Sequence, residues 1–226
     1  MNLFGKNSNF ITGSFFSSTD QVISIGGRSG RSSSVPPAGP IGSKEVPITS
    51  VSRLEAGSAF DITITKGSTP KLTITAEERI LPNIVASQRG NKLVLAIEGS
   101  VMTQAPLKVD LVVESLSDIE LSGASKLTFD DIAGASLNLD VSGSASVKLS
   151  GLVGELNLDV SGAAKVRCQK LRAAKVTADI SGAASVRVFA ESSVTGDVSG
   201  AASLEIDGTA VTRKVRTSGA ASVSFD

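Results

Sequence analysis

The chain contains no histidine, no tryptophan and no tyrosine, and it has a single cysteine, Cys168. Without histidine there is no serine-protease-type triad, no Cys–His dyad and no imidazole-ligated metal site. Without tryptophan and tyrosine the usual platforms for stacking bases are missing, as is most of the aromatic surface that sugar-binding sites favour. One cysteine cannot form an intramolecular disulfide. No apolar run is long enough to span a membrane as a helix. Neither sign of charge dominates: 22 Lys and Arg balance 22 Asp and Glu. A nucleic-acid binder, which needs a basic excess to neutralise phosphates, is therefore excluded. What remains is a chain of 226 residues, long enough to bury a sizeable core, and rich in Gly, Ser, Ala and Val.

Residues 1–45 read as a leader and linker. Met1 to Ser18 lack the basic start and unbroken apolar stretch of a secretory signal. Phe4, Phe10, Phe15 and Phe16 cluster there, which suits either a sticky, poorly ordered leader or an element docked on the body. Gly26 to Ser43 is dominated by Gly, Ser and Pro and reads as a linker.

From about Glu120 the sequence repeats. The string Ser-Gly-[Ala/Ser]-[Ala/Ser]-[Ser/Lys]-[Val/Leu] starts at Ser122, Ser142, Ser161, Ser181, Ser199 and Ser218. A period of 18 to 20 residues with β-type composition points to one solenoid coil per repeat. Leucine-rich repeats share the period but need a Leu/Asn ladder that is absent here. Apolar residues alternate on both sides of the Ser-Gly corner. One ladder is Leu121, Val141, Val160, Ile180 and Val198; another is Phe129, Leu149, Cys168, Val188, Ile206 and Phe225. Period two on each side predicts strands facing a core, with Gly permitting the bend. The expected fold is all-β: a right-handed parallel β-helix-like solenoid of about six rungs over 119–226, capped at its N-terminal end by a β-strand head over 46–118. Cys168 falls in the inward ladder and reads as a small core hydrophobe.

Two outward features carry the candidate chemistry. Two residues before each Ser stand Glu120, Asp140, Asp159, Asp179 and Asp197, then Arg216. Stacked rungs place these carboxylates in one column. Like charges directly opposite destabilise a sheet, so the column calls for counter-charges, water or a cation. Asp140, Asp159, Asp179 and Asp197 are the candidate ligands of a weak Ca²⁺ site, with Asp118, Asn138, Asn157, Thr177 and Thr195 able to add oxygens. The alternative is a solvated acidic stripe; no cofactor is otherwise implied. The second feature is the basic stretch Lys165, Arg167, Lys170, Arg172 and Lys175, suited to an anionic glycan or lipid head group, or to a solvated face. Rungs this short leave no room for the long loops of β-helix polysaccharide-cleaving enzymes, so no enzyme is expected.

The head has its own texture. Phe60, Ile62 and Ile64, then Leu72 and Ile74, then Leu93, Leu95 and Ile97 alternate with polar residues between Lys66-Gly67-Ser68, Glu77 to Pro82 and Arg89-Gly90-Asn91. These read as strands joined by tight turns. The run VSRLEAGSAFDITITKGSTPKLTITAEERILPNIVASQRGNKLVLAIEG, then APLKVDLVVESLSDIELSGASKL and the DVSG-A-A-S repeats, resembles the head GIN domain family of putative auto-transporter adhesins over residues 46–226. The resemblance implies an all-β fold ending in a β-helix, and bacterial cell-surface or periplasmic proteins with no catalytic residues to carry over. The expected function is a non-enzymatic, adhesin-like or structural interaction module. Alternatives are an intracellular scaffold associating end to end and a cation-dependent glycan binder. Because the sequence stops just after Val223-Ser224-Phe225, the last rung is expected to form a homo-oligomer, a dimer, through Val215, Val223 and Phe225.

Overall fold

The computed structural model describes residues 39–226; the Phe-rich leader lies outside the described residues. Fifteen strands form one continuous hydrogen-bonded sheet wound into a solenoid of about five turns, against the six rungs expected. The strands are β1 Ile41–Val46, β2 Arg53–Ala56, β3 Phe60–Lys66, β4 Lys71–Glu77, β5 Ile84–Arg89, β6 Lys92–Ile97, β7 Leu107–Val113, β8 Asp118–Gly123, β9 Lys126–Gly143, β10 Ser146–Gly162, β11 Lys165–Ile180, β12 Ser185–Val198, β13 Ser203–Asp207, β14 Thr212–Thr217 and β15 Ser222–Phe225. No helix among the described residues is long and apolar enough to cross a membrane.

The repeat becomes parallel pairing in a fixed register. Val147 stands opposite Leu127 on one side and Val166 on the other. The sequence ladders are the core: Leu121, Val141, Val160, Ile180 and Val198 are all buried, as are Phe129, Leu149, Cys168, Val188 and Ile206. The long strands β9 to β12 bend, so each contributes to two faces. We call face A the stack β2, β8, the C-terminal parts of β9 to β12, and β14. Face B is β3, the N-terminal parts of β9 to β12, β13 and β15.

The Ser-Gly corner needs glycine for two reasons. Gly143 and Gly162 have φ of 99° and 101°, a region costly for side-chain-bearing residues. They also stack: a Cβ on Gly162 would lie 2.4 Å from the carbonyl oxygen of Gly143, which accepts a hydrogen bond from Ala163. Inside the corner sit Ala145, Ala164, Ala184 and Ala202; the first turn has Ser125 instead. Its hydroxyl donates to the Ser58 carbonyl and accepts from the Phe60 amide, pinning the repeats to the head.

The head is built differently from a set of hairpins. β2 pairs in parallel with β8 and β6, and β3 pairs in parallel with β9 and β7. The head thus supplies early coils of the solenoid, and one core runs from Val51 to Ala210. The Arg89-Gly90-Asn91 break does make a hairpin, β5 to β6. The Lys66-Gly67-Ser68 break does not, because β7 lies between β3 and β4. Antiparallel pairing is confined to β1–β4, β4–β7 and β5–β6, and β1 ends the sheet beyond β3, β7 and β4. Residues 41–45, expected in the linker, belong to β1: its backbone pairs with β4, and Lys44 Nζ donates to the carbonyls of Leu81 and Ile84. An edge strand needs only one paired side, so it forms with few apolar residues and leaves little periodic signal.

The buried Glu77 holds the head's outer loops. Its carboxylate accepts from Thr103 Oγ1 at 2.7 Å, from the amides of Gly39 and Gln104, and from Arg79. These hydrogen bonds, that from Thr103 first, hold its pKa down at about 2 despite burial.

Candidate functional site

Face A carries the acidic column, which is longer than the sequence pattern indicates. Glu55 stands opposite Glu120, Glu120 opposite Asp140, Asp140 opposite Asp159, Asp159 opposite Asp179, and Asp179 opposite Asp197. Arg216 follows Asp197. The expected column therefore forms, and Glu55 from the head extends it.

Its two ends are neutralised. Lys92 Nζ lies 2.6 Å from Glu55 Oε2 and 3.9 Å from Glu120, and its pKa is raised, the Glu55 hydrogen bond being the main cause. At the far end Arg216 forms an ion pair with Asp197, and this holds the Asp197 carboxyl below its usual value. Between the ends, Asp140, Asp159 and Asp179 have no basic partner among the described residues. Burial, and then the charge of Asp159, push the Asp140 pKa up. Asp179 Oδ1 accepts the backbone N–H of Asp197. Of the four aspartates singled out in the sequence, three make no ion pair among the described residues, although Arg216 also feels the charge of Asp179, and Asp197 is engaged.

A polar column runs beside the acids. Asn157 Nδ2 donates to Asn138 Oδ1, and Asn138 Nδ2 donates to Asp118 Oδ1, each at 2.9 Å. Ser117 Oγ donates to Asp118 Oδ2 at 2.6 Å, and Arg53 lies 3.5 Å away. The Ser117 hydrogen bond, with those of Asn138 and the Arg53 charge, lowers the Asp118 pKa. Both columns line one open groove of about 470 Å³. The inward partners of these strands, such as Leu139 and Leu158, hold the columns in place from beneath.

The basic stretch is divided by the fold. Arg172 pairs with Glu191 at 2.6 Å and Lys175 with Glu155 at 3.0 Å. Lys165 and Arg167 lie on the N-terminal part of β11, on face B. Cys168 is fully buried, and burial pushes its thiol up to about 12. In the last turn, Val215 and Val223 are half-buried against the core. Phe225 is 38% exposed, with the Arg213 guanidinium 4.6 Å from its ring centre. A second acidic group, Glu205, Asp207 and Asp226, has carboxylate oxygens within 4.8 Å of one another. It escapes sequence reading because Asp226 lies a full repeat from the other two; Glu205 also pairs with Arg187.

No curated protein matches the chain. Among solved structures, a putative adhesin from Bacteroides fragilis superposes with a TM-score of 0.70 at 18% identity, covering 84% of this chain and 99% of that one. A putative adhesin from Parabacteroides merdae matches at 16% identity and a TM-score of 0.47, covering 83% and 97%. The first likeness supports the fold. The family model described as "Putative auto-transporter adhesin, head GIN domain" matches residues 51–210, the span that holds β2 to β13, five of the six Ser-Gly corners and the whole acidic column, and the chain belongs to that family.

Proposed function

We propose that the protein is a non-enzymatic interaction module that works outside the cytoplasmic membrane, at the bacterial surface or in the periplasm, by presenting a rigid β-solenoid to a partner. The observation that carries this reading is the ordered display on face A. Side chains of one kind recur at successive rungs, about 4.8 Å apart, on a core too closely packed to deform easily. A preformed surface of this kind binds without paying a large ordering entropy. Family membership and the solenoid shared with a putative adhesin agree with it.

Fractionation of cells producing the tagged protein, followed by protease shaving of intact cells and of spheroplasts, tests the location. Cleavage in either sample supports the reading. Protection in both, with cleavage after lysis, overturns it.

End-to-end association is a second reading, favoured by Phe225, Val215 and Val223, which continue the inward ladders into the last turn while remaining partly exposed. A second copy seated on β14 and β15 buries them. Light scattering across a concentration series separates a dimer that Phe225→Ser weakens from a strict monomer.

A further inference from the structure

The spacing of the corners changes most between two neighbouring rungs. Ser161 to Ser181 is 20 residues, and Ser181 to Ser199 is 18. The register shows where the longer rung puts its extra length. Cys168 faces Val188 and Arg172 faces Phe189, so Gln169, Lys170 and Leu171 have no opposite residue on β12. On the β10 side, Lys148 faces Arg167 and Ser150 faces Lys170, so Cys168 and Gln169 share Leu149. Such bulges re-aim side chains. Here Gln169 Oε1 is sealed from solvent with no hydrogen-bond partner, alone in this among the described residues. The Gln169 side chain lines a small recess of about 40 Å³ with Lys148, Leu149, Arg167 and Lys170. That is more than the roughly 10–15 Å³ one oxygen-sized probe needs.

The three cations of this recess make no ion pair among the described residues, whereas their neighbours Arg172, Lys175 and Arg187 each hold a glutamate. The recess therefore offers positive charge with no carboxylate in its lining. Lys148 and Arg167 also stand opposite one another on successive rungs of face B, and Arg187, next in line, is held by Glu205.

We propose that this bulge is a binding site for an oxyanion group, sulfate or carboxylate, carried on an acidic polysaccharide. One oxygen enters the recess, and Lys148, Arg167 and Lys170 neutralise the group. Successive charges on the polymer meet Lys148 and Arg167 on neighbouring rungs. A polymer suits the site better than a lone ion because the cations recur at rung spacing. With no Trp or Tyr to stack on a sugar ring, binding is ionic and weakens as salt rises. The biological identity of the polymer rests on the surface reading above; the anion site does not.

The test is titration calorimetry of the full chain with dextran sulfate, polygalacturonate and inorganic sulfate, and sedimentation with phosphatidylglycerol-containing vesicles. The expected result is binding of at least one polysaccharide. Affinity falls about tenfold or more in K148Q/R167Q/K170Q and is unchanged in R172Q/K175Q. Circular dichroism checks folding. If the triple variant does not fold, the exposed single variants K148Q and K170Q each show a two- to threefold loss. The proposal is overturned if neither polysaccharide binds at low salt, if the recess variants bind as well as the parent, or if only vesicles or only inorganic sulfate bind. Binding by a protein that shaving places inside the cell leaves the anion site standing and removes the surface reading.

Discussion

Arg216 holds Asp197 in a two-point grip: Nε lies 2.7 Å from Oδ1 and Nη2 lies 2.8 Å from Oδ2. The repeat has an acid at this position in every rung from Glu120 to Asp197 and then an arginine. The arginine neutralises the end of the column, as Lys92 does at Glu55, and the uncompensated charge is confined to the middle.

Opposite effects therefore follow from changing the end and the middle. Arg216→Gln is expected to lower stability slightly, since the pair is well aligned but exposed. Asp159→Asn is expected to stabilise by about 0.2–1 kcal/mol by removing a like charge from between two others. Denaturant melts at low salt measure both, and the gain from Asp159→Asn shrinks as salt screens the column. A loss of stability in Asp159→Asn contradicts the account of the column as unrelieved repulsion.

The glycine stack gives a steric prediction. Gly162→Ala places a Cβ against the Gly143 carbonyl at positive φ, and a cost of about 2–4 kcal/mol is expected. Gly90 also has positive φ, 59°, but has open space around it. Gly90→Ala should cost only the backbone strain, about 1 kcal/mol. Equal melting shifts for the two variants would show that corner stacking is unimportant.

Acid should unfold the protein through particular carboxylates. Glu77 has a folded pKa of about 2, below its ordinary 4.5. Its stabilising contribution is present above the unfolded value and is lost as pH falls from about 4.5 toward 2. Asp118 and Asp197 are lowered too and act in the same direction. Asp140 is raised and acts oppositely: its destabilisation is present at neutral pH and relieved as pH falls through its folded pKa. Glu77→Gln is expected to flatten the acid limb of a stability–pH profile, and Asp140→Asn to lower the curvature just above it.

Cys168 should be silent in the native state. It is fully buried, and its thiol is pushed to about 12, so a thiol reagent at neutral pH reacts only as the protein opens. Cys168→Ser puts a hydroxyl between Leu149 and Val188 and is expected to cost about 1–3 kcal/mol in a melt. Fast labelling of the folded protein would remove Cys168 from the core.

The interior of the solenoid was legible because one constraint repeats. Each rung buries the same positions, so Leu121, Val141, Val160, Ile180 and Val198 report one geometry five times. The head was less legible. β2 pairs with β6, 39 residues on, and β3 with β7, 47 residues on, and nothing local distinguishes that from a hairpin. The edge strand β1 passed for linker because its pairing is carried by backbone groups common to every sequence. Of the candidate site, the order of the acids was readable, and so was Arg216 after them. Glu55, Lys92 and the recess at Gln169 were not, since each depends on which distant rung lies alongside.

By itself the sequence determined the period, the inward ladders, the glycine corners and the alignment of the acidic column. These follow from local chemistry: alternation sets which side chains face inward, and a tight corner excludes Cβ atoms. Only the tertiary structure decided which charges meet. Charge pairing depends on the register between rungs, on where a 20-residue rung lies against one of 18, and on the head coils stacking beneath the first repeat. Among the described residues, those choices leave Asp140, Asp159 and Asp179 exposed without an ion pair on one face and Lys148, Arg167 and Lys170 without one around the bulge at Gln169.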